Sequence, residues 1–212
     1  MRGDNSRLVQ IDPSHVFLYA ACSAPVPMGS QMALPPTIYA TLPGPINPDT
    51  MTRIVTNLTG ATRNGVTIMH LMMQSSGGNV GDGIALYNIF RTLPFELNLY
   101  NGGMVASIAV IAFMGGRHRY ASAHSSFMIH RTRINPQSPP TASQLRAFLP
   151  SLRLDDKRTE AILRTHTKIP AAKWRQLASG DVYFNVDEAV QFGLADSIRE
   201  FQVPAGNQIY DV

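Results

Sequence analysis

The chain of 212 residues has a single cysteine, few charged residues and no long hydrophobic run. Cys22 alone cannot form an internal disulfide or a four-cysteine zinc site, and this cysteine usage fits a reducing compartment. No apolar stretch approaches the ~18 residues that a membrane-spanning helix needs. Residues 16–22 have the apolar character of a short signal peptide, but Asp4 and Asp12 precede them, so export is the weaker alternative. We expect a cytoplasmic protein without a membrane partner.

Charged residues make up only 15% of the chain, whereas hydrophobic residues make up 44%. This balance argues against intrinsic disorder. It also predicts that part of the surface is covered by further copies of the chain, as in a homo-oligomer. The net charge of +4 comes from scattered arginines and lysines, and the one loose cluster consists of Arg117, Arg119, Arg131 and Arg133. A nucleic-acid binder gathers such charge into a basic stripe, so we expect no nucleic-acid partner.

The first 36 residues differ in composition from the rest. Seven of the 15 prolines lie between Pro25 and Pro48. This density is typical of an extended arm or linker, and we expect residues 1–36 to be partly disordered. Residues 37–212 are then the folded domain.

From Thr37 onwards, strand and helix patterns alternate. We predict strands at residues 38–42, 66–73, 97–100, 126–129, 182–184 and 194–198, the last of these being the final strand. We predict helices at residues 48–62, 81–91, 106–114 and 187–193, and a helical region at 141–178 that Pro150 and Pro170 interrupt. This alternation predicts an α/β domain with a largely parallel sheet.

Two glycine-rich segments, residues 75–79 and 102–103, each lie between a predicted strand and a predicted helix. Turns of this kind expose backbone N–H groups at the positive end of a helix, where an oxyanion or a phosphate can bind. Neither segment has a phosphate-loop spacing or a nearby lysine, which argues against phosphate. Two ordinary tight turns are the alternative.

Three polar residues lie at strand or helix ends and could perform nucleophilic catalysis together. Ser107 begins an apolar helix, His130 ends an apolar strand, and Asp181 precedes another. Each has an ordinary interpretation alone: a helix cap, a structural histidine and a turn residue. A nucleophile, a base and an orienting acid are what acyl transfer requires, so the combination is more informative than its members.

Four segments resemble motifs of one family, the proteolytic subunits of ATP-dependent Clp protease, which are serine peptidases of the ClpP/crotonase fold. Residues 75–80 are similar to its glycine loop, 103–108 to its nucleophile segment, 127–130 to its base strand, and 181–196 to its C-terminal motif. The resemblance covers about residues 36–200. It implies a spiral of β-β-α units with a helical handle insertion, and an endopeptidase that cleaves peptides or unfolded proteins through an acyl-enzyme.

The resemblance also implies a role for each site residue. Ser107 would be the nucleophile, His130 the general base and then acid, and Asp181 the residue that orients the imidazole. The backbone N–H groups of Gly78 and Ile108 would form the oxyanion hole. We expect no metal or other cofactor, because the histidines show neither H-x-x-x-H nor H-E-x-x-H spacing.

The sequence departs from the family at four places. Ser76 stands where the loop has a proline, and Ile108 stands where a methionine follows the nucleophile. Residues 131–150 carry four prolines and lack the family's segment before the handle, so we expect a broken handle, and the sequence does not predict whether rings stack. The N-terminal arm has no match, so docking to an ATP-dependent unfoldase has no support in the sequence.

Two alternatives to the serine peptidase stay open at this stage. A non-catalytic ring subunit that regulates an active paralogue fits the altered handle. A crotonase-type enzyme acting on an acyl-CoA thioester would use the same oxyanion arrangement but needs no Ser–His–Asp set. A serine–lysine dyad is disfavoured because Lys157, Lys168 and Lys173 all lie in the helical region.

Overall fold

The computed structural model describes residues 35–134, 136 and 138–212, so Cys22 and almost all of the predicted arm lie outside the described residues. Within them the chain forms eight strands and six helices. The strands are β1 (Thr37–Pro43), β2 (Ile68–Ser75), β3 (Glu96–Ala106), β4 (His118–Ala121), β5 (Ser126–Ile129), β6 (Val182–Phe184), β7 (Ser197–Ile198) and β8 (Ile209–Asp211). The helices are α1 (Pro48–Arg63), α2 (Val80–Arg91), α3 (Ile108–Phe113), α4 (Ala142–His166), α5 (Ala171–Leu177) and α6 (Val186–Gln191).

The strands form one sheet in the order β6-β5-β3-β2-β1-β8, with β4 paired to β3 and β7 paired to β4. In this described sheet β5 and β6 run antiparallel, and the other pairs are parallel. The prediction of an α/β domain with a largely parallel sheet is therefore confirmed. Among the described helices, none is both long enough and apolar enough to cross a membrane.

Local sequence signals explain where the first helix begins. The Asn47 side chain accepts a hydrogen bond of 2.9 Å from the Thr50 backbone N–H, and Pro48 occupies the first helical turn. An asparagine cap followed by proline is a strong helix start because the cap satisfies an N–H that the helix leaves unpaired. This start confirms the sequence prediction.

Helix α3 is the most deeply buried element next to the site. All six of its residues are buried, and Phe113 packs edge-to-face on Phe127 of β5 with ring centroids 5.4 Å apart. Burial on every side fixes the position of the helix N-terminus, where Ser107 lies.

The predicted glycine turn at residues 102–103 is wrong, because both glycines lie inside β3. The strand changes partners there: Asn98 to Asn101 pair with β4, and Met104 to Ala106 pair with β5. The Asn101 side chain stabilises β3 where its partner changes from β4 to β5. Its amide donates to the Ser126 carbonyl at 2.8 Å and accepts from the Gly103 N–H at 3.1 Å. Gly102 leaves room for the Met72 side chain, since a Cβ there would lie 2.6 Å from the Met72 sulfur.

The expected break of the handle at Pro150 is also wrong. Helix α4 continues through Pro150 for 25 residues, and a capping box formed by Thr141 and Gln144 starts it. Pro170 does separate two helices, as predicted, by preceding α5. The strand at 194–198 shrinks to β7 and is not the last one, because β8 follows and pairs with β1.

Candidate active site

Ser107 occupies the junction between β3 and α3 in a strained backbone conformation. Its φ of 56° and ψ of −129° make it the one non-glycine residue with positive φ in the described part of the chain. Such a conformation costs on the order of 1–3 kcal/mol and persists only where the surroundings impose it. The Ser107 N–H donates to the Met128 carbonyl at 2.7 Å, which ties the junction to β5. Its side chain makes no capping hydrogen bond, so the helix-cap interpretation is wrong.

The glycine loop packs directly against this serine. A Cβ on Gly77 would lie 2.6 Å from the Ser107 Cβ, which leaves no room for a larger residue. The loop is held by Ile46, whose N–H donates to Gly77 O at 2.8 Å and whose carbonyl accepts from Asn79 N–H at 2.9 Å. These bonds place the Gly78 peptide beside Ser107 without help from a proline at position 76.

Ile108 supplies the second predicted backbone donor. It is the first residue of α3, and the first N–H groups of a helix have no intrahelical acceptor. Gly78, Ser107 and Ile108 line one cleft. A free N–H beside a hydroxyl in a partly enclosed cleft is the arrangement that stabilises an oxyanion.

His130 lines the same cleft, at the end of β5. Its Nδ1 lies 2.6 Å from the Arg131 carbonyl oxygen. Because a carbonyl only accepts, Nδ1 carries a proton, and in the neutral imidazole Nε2 then keeps its lone pair. This is the tautomer that a general base needs. Among the described residues, no hydrogen bond joins His130 to Ser107.

Asp181 lies next to His130 in the backbone but points its carboxylate elsewhere. Strands β5 and β6 pair antiparallel with Ile129 opposite Val182, so the next position places Asp181 opposite His130. The carboxylate forms a close ion pair with Arg133. Asp181 is not among the residues that line the cleft, and in the described part of the chain it makes no hydrogen bond to His130.

The cleft encloses about 90 Å³ and has two kinds of wall. Its apolar wall includes Ile111, Ile129, Leu163, Trp174 and Leu177. Its polar rim includes Arg131, Thr132, Arg133, Asp156, Thr159 and Glu160. An apolar pocket with a few convergent polar groups is the usual form of a small-ligand or side-chain site.

A charged network connects the rim to α4. Arg131 contacts Glu160 at 3.0 Å, Arg164 contacts the same carboxylate at 2.8 Å, and the Arg164 guanidinium lies 4.3 Å from the Trp174 ring centroid. Burial opposes ionisation of Glu160, but the hydrogen bonds from Arg164 and Arg131 outweigh it and lower its pKa. Glu160 is therefore ionised at neutral pH, and Arg131 is held in place.

The described histidines other than His130 lie away from this cleft. His70 stacks on Tyr39 and contacts the Tyr100 hydroxyl at 2.9 Å, and His166 contacts the Tyr87 hydroxyl at 2.8 Å. Burial lowers the pKa of both imidazoles, with nearby arginines adding to the effect. Among the described residues, no group of three or more His, Cys, Asp or Glu side chains has the geometry to hold a metal ion.

Sequence reasoning anticipated the members of the cleft better than their contacts. Gly78, Ser107, Ile108 and His130 meet in one cleft, whereas the Asp181 carboxylate is turned away. Arg131 and Arg133 follow His130 closely in the sequence, but nothing in the sequence indicated the ion pair between Arg133 and Asp181. Nothing in the sequence indicated that Trp174 lines the cleft, because it lies on a helix 67 residues after Ser107.

The fold has a counterpart among solved structures. A ClpP1 mutant from Listeria monocytogenes superimposes with a TM-score of 0.64 at 17% sequence identity, over 77% of this chain and 92% of that chain. At this identity the likeness concerns the fold alone. The domain therefore has the ClpP-type α/β fold, as the sequence predicted.

Residues 33–202 match the family model described as Clp protease, and the chain belongs to that family. It is 30% identical over 130 residues to ATP-dependent Clp protease proteolytic subunit 4 of Rhodococcus jostii (strain RHA1). It is 27% identical over 130 residues to subunit 2 of Thermobifida fusca (strain YX). Both matches cover 60% of this chain, and they cover 66% and 63% of those relatives, so the chain spans just under two thirds of their length. The resemblance stated from the sequence is confirmed.

Proposed function

We propose that the protein is a serine endopeptidase that cleaves peptides or unfolded proteins, with residues 37–212 as its peptidase domain. The strained backbone of Ser107 is the observation that carries this proposal. A serine that accepts positive φ without capping its helix is held there for its hydroxyl. His130 and two backbone N–H groups lie around the same cleft.

In the proposed reaction, the Ser107 oxygen attacks the scissile carbonyl carbon, and His130 Nε2 takes the proton of the Ser107 hydroxyl. The N–H groups of Gly78 and Ile108 donate to the oxyanion that forms. His130 then gives the proton to the leaving amine, and the C–N bond breaks to leave an acyl-enzyme. Water, deprotonated by His130, attacks the ester carbon; the C–O bond then breaks, the acid leaves, and His130 returns the proton to the Ser107 oxygen. Asp181 orients the imidazole and stabilises its charged form.

This cycle needs one rearrangement of side chains. His130 Nδ1–H donates to the Arg131 carbonyl, and the Asp181 carboxylate pairs with Arg133. Asp181 follows the last register pair of β5 and β6, Ile129 with Val182, on the side of His130, which supports rotation of the two side chains as the step that forms the bond. A carboxylate stabilises an imidazolium more than a neutral carbonyl does, because charge-assisted hydrogen bonds are the stronger ones.

Labelling with a fluorophosphonate, read by intact mass, tests the proposal. We expect one adduct on the wild-type chain and none on Ser107→Ala. Ser151→Ala is the matched control, since Ser151 is an exposed serine on α4 whose hydroxyl bonds to Phe148 O. An adduct that survives in Ser107→Ala, or none on folded wild type, would overturn the proposal.

A non-catalytic subunit of a Clp-type assembly is the second candidate. It is favoured by the Arg133–Asp181 pair, which withholds the carboxylate from His130. A folded chain that takes no label at Ser107 would favour this candidate. A crotonase-type acyl-CoA enzyme is the weaker third candidate, and retained thioester turnover in Ser107→Ala would favour it.

We also propose that the protein acts as a homo-oligomer in the cytoplasm. Helix α4 supports self-association, because Leu145, Phe148, Leu149 and Leu154 on it are 40–56% exposed. Docking to an ATP-dependent unfoldase stays a hypothesis from the family name. Sedimentation velocity of wild type and Phe148→Ser would test self-association, with a monomeric wild type as the contrary result.

A further inference from the structure

We propose that Arg133 is a brake on this site that holds Asp181 away from His130. The inference rests on the proposed serine peptidase and concerns its regulation. Arg133 lies three residues after His130, lines the cleft, and pairs through its guanidinium with the Asp181 carboxylate. The chain therefore supplies, from the same segment as the base, a cation that competes with the base for the acid.

The hydrogen bond between His130 and Asp181 is prevented at both its donor and its acceptor. Nδ1 of His130 has one hydrogen, and while it is donated to the Arg131 carbonyl it cannot be donated to Asp181. The Asp181 charge is neutralised by Arg133, so it attracts a forming imidazolium less. Release of Arg133 leaves an unpaired carboxylate opposite His130 in the strand register.

Arg131 and Arg133 are held differently, which identifies Arg133 as the part that moves. Arg131 contacts both Glu160 and Asp156 of α4, and the adjacent Thr132 N–H donates to Asp156 at 2.7 Å. The Arg133 side chain is 59% exposed, and Asp181 is its one ion-pair partner among the described residues. Exposed pairs of this kind are weak, so the brake is releasable and its effect modest.

A double-mutant cycle on fluorophosphonate labelling tests the brake. We expect Arg133→Gln to label Ser107 faster than wild type by about fivefold, the scale of one exposed ion pair. Arg133→Lys keeps the charge and should stay near the wild-type rate. In an Asp181→Asn background, Arg133→Gln should change nothing, because no carboxylate is left to release. Arg53→Gln on α1 removes the same charge away from the cleft and should leave the rate unchanged.

Two results would overturn the brake while the proposed function stands. One is Ser107-dependent labelling of wild type that Arg133→Gln leaves unchanged or slows. The other is an equal gain in the Asp181→Asn background, which would mean that Arg133 acts by blocking the cleft. Labelling that is absent from every variant, or independent of Ser107, would overturn both the brake and the peptidase.

Discussion

Gly78 lies so close to Ile46 that a Cβ on it would be 1.9 Å from the Ile46 carbonyl oxygen. The contact is between backbones, since the Ile46 carbonyl accepts from the next N–H along the loop, that of Asn79. No side-chain rotation relieves it. The loop beside Ser107 therefore depends on a missing side chain at one position.

We predict that Gly78→Ala lowers the free energy of unfolding by on the order of 3 kcal/mol, because the Ile46 backbone must move and φ is +155°. Urea denaturation measures this, and labelling of Ser107 should fall with it. Gly65→Ala is the control: it also has positive φ, at +72°, but nothing lies within 4 Å of its Cβ. It should lose only about 1–2 kcal/mol. If the two variants lost the same free energy of unfolding, the positive φ alone, and not the contact with Ile46, would explain both losses.

The approach of α2 to α3 gives a second prediction. A Cβ on Gly83 would lie 2.3 Å from Ile108 Cγ1 and 3.1 Å from its carbonyl oxygen. We expect Gly83→Ala to destabilise the fold by about 1–3 kcal/mol and to slow labelling, since the shift reaches the Ile108 N–H. Urea denaturation and the labelling rate measure both effects.

Gly81 supplies the matched comparison for this change. It lies on the same helix, and nothing is within 4 Å of its Cβ. Gly81→Ala should stabilise by about 0.5–1 kcal/mol through helix propensity alone. If both alanine variants gained stability, the close packing of the two helices would be contradicted.

Much of the fold could be predicted from local patterns. The Asn47 cap and the strand around Leu71 follow from signals within a few residues, and both are confirmed. The turn predicted at Gly102 was wrong because a glycine can be present for either of two reasons. Glycine marks tight turns, but here it gives space to Met72 where β3 changes partners, and that neighbour is 30 residues away.

The sequence predicted which residues lie near one another in the candidate site, but it did not predict their side-chain contacts. Parallel strands deliver residues to one sheet edge, and this rule brings Ser107 and His130 to one cleft. The direction of the Asp181 carboxylate depends on which of two neighbours it pairs with. Arg133 is 48 residues from Asp181 along the chain, and no sequence pattern indicates whether Asp181 pairs with Arg133 or with His130.

Burial of His166 predicts a pH dependence of stability. Its Nε2 lies 2.8 Å from the Tyr87 hydroxyl, which accepts a hydrogen bond from Arg91 at 3.0 Å. Burial and the nearby Arg119 and Arg91 charges lower its pKa from the ordinary 6.5. The unfolded chain then binds more protons below pH 6.5, so the free energy of unfolding falls as pH falls from that value through the folded pKa.

Urea denaturation from pH 7.5 to 5 measures this dependence. His166→Gln removes the titrating group and should flatten the slope, and the slope that remains should include His70, whose pKa is also lowered by burial. A wild-type slope identical to that of His166→Gln would contradict the prediction.

Pro150 gives the last prediction, because it lies inside an unbroken helix. Proline has no N–H to donate to the Arg146 carbonyl, and its ring crowds that carbonyl. The helix persists across it because ordinary turns follow, with ion pairs between Asp155 and Arg158 and between Glu160 and Arg164.

We expect Pro150→Ala to raise the free energy of unfolding by about 1–3 kcal/mol in urea denaturation, as the lost bond is restored and the crowding removed. Amide hydrogen exchange should slow in the turn around residue 150. Ser151→Ala is the neighbouring control, with a gain of at most about 0.5 kcal/mol. If Pro150→Ala gained no more than Ser151→Ala, the helix would end at the proline, and the apolar side chains before it would not belong to one continuous handle.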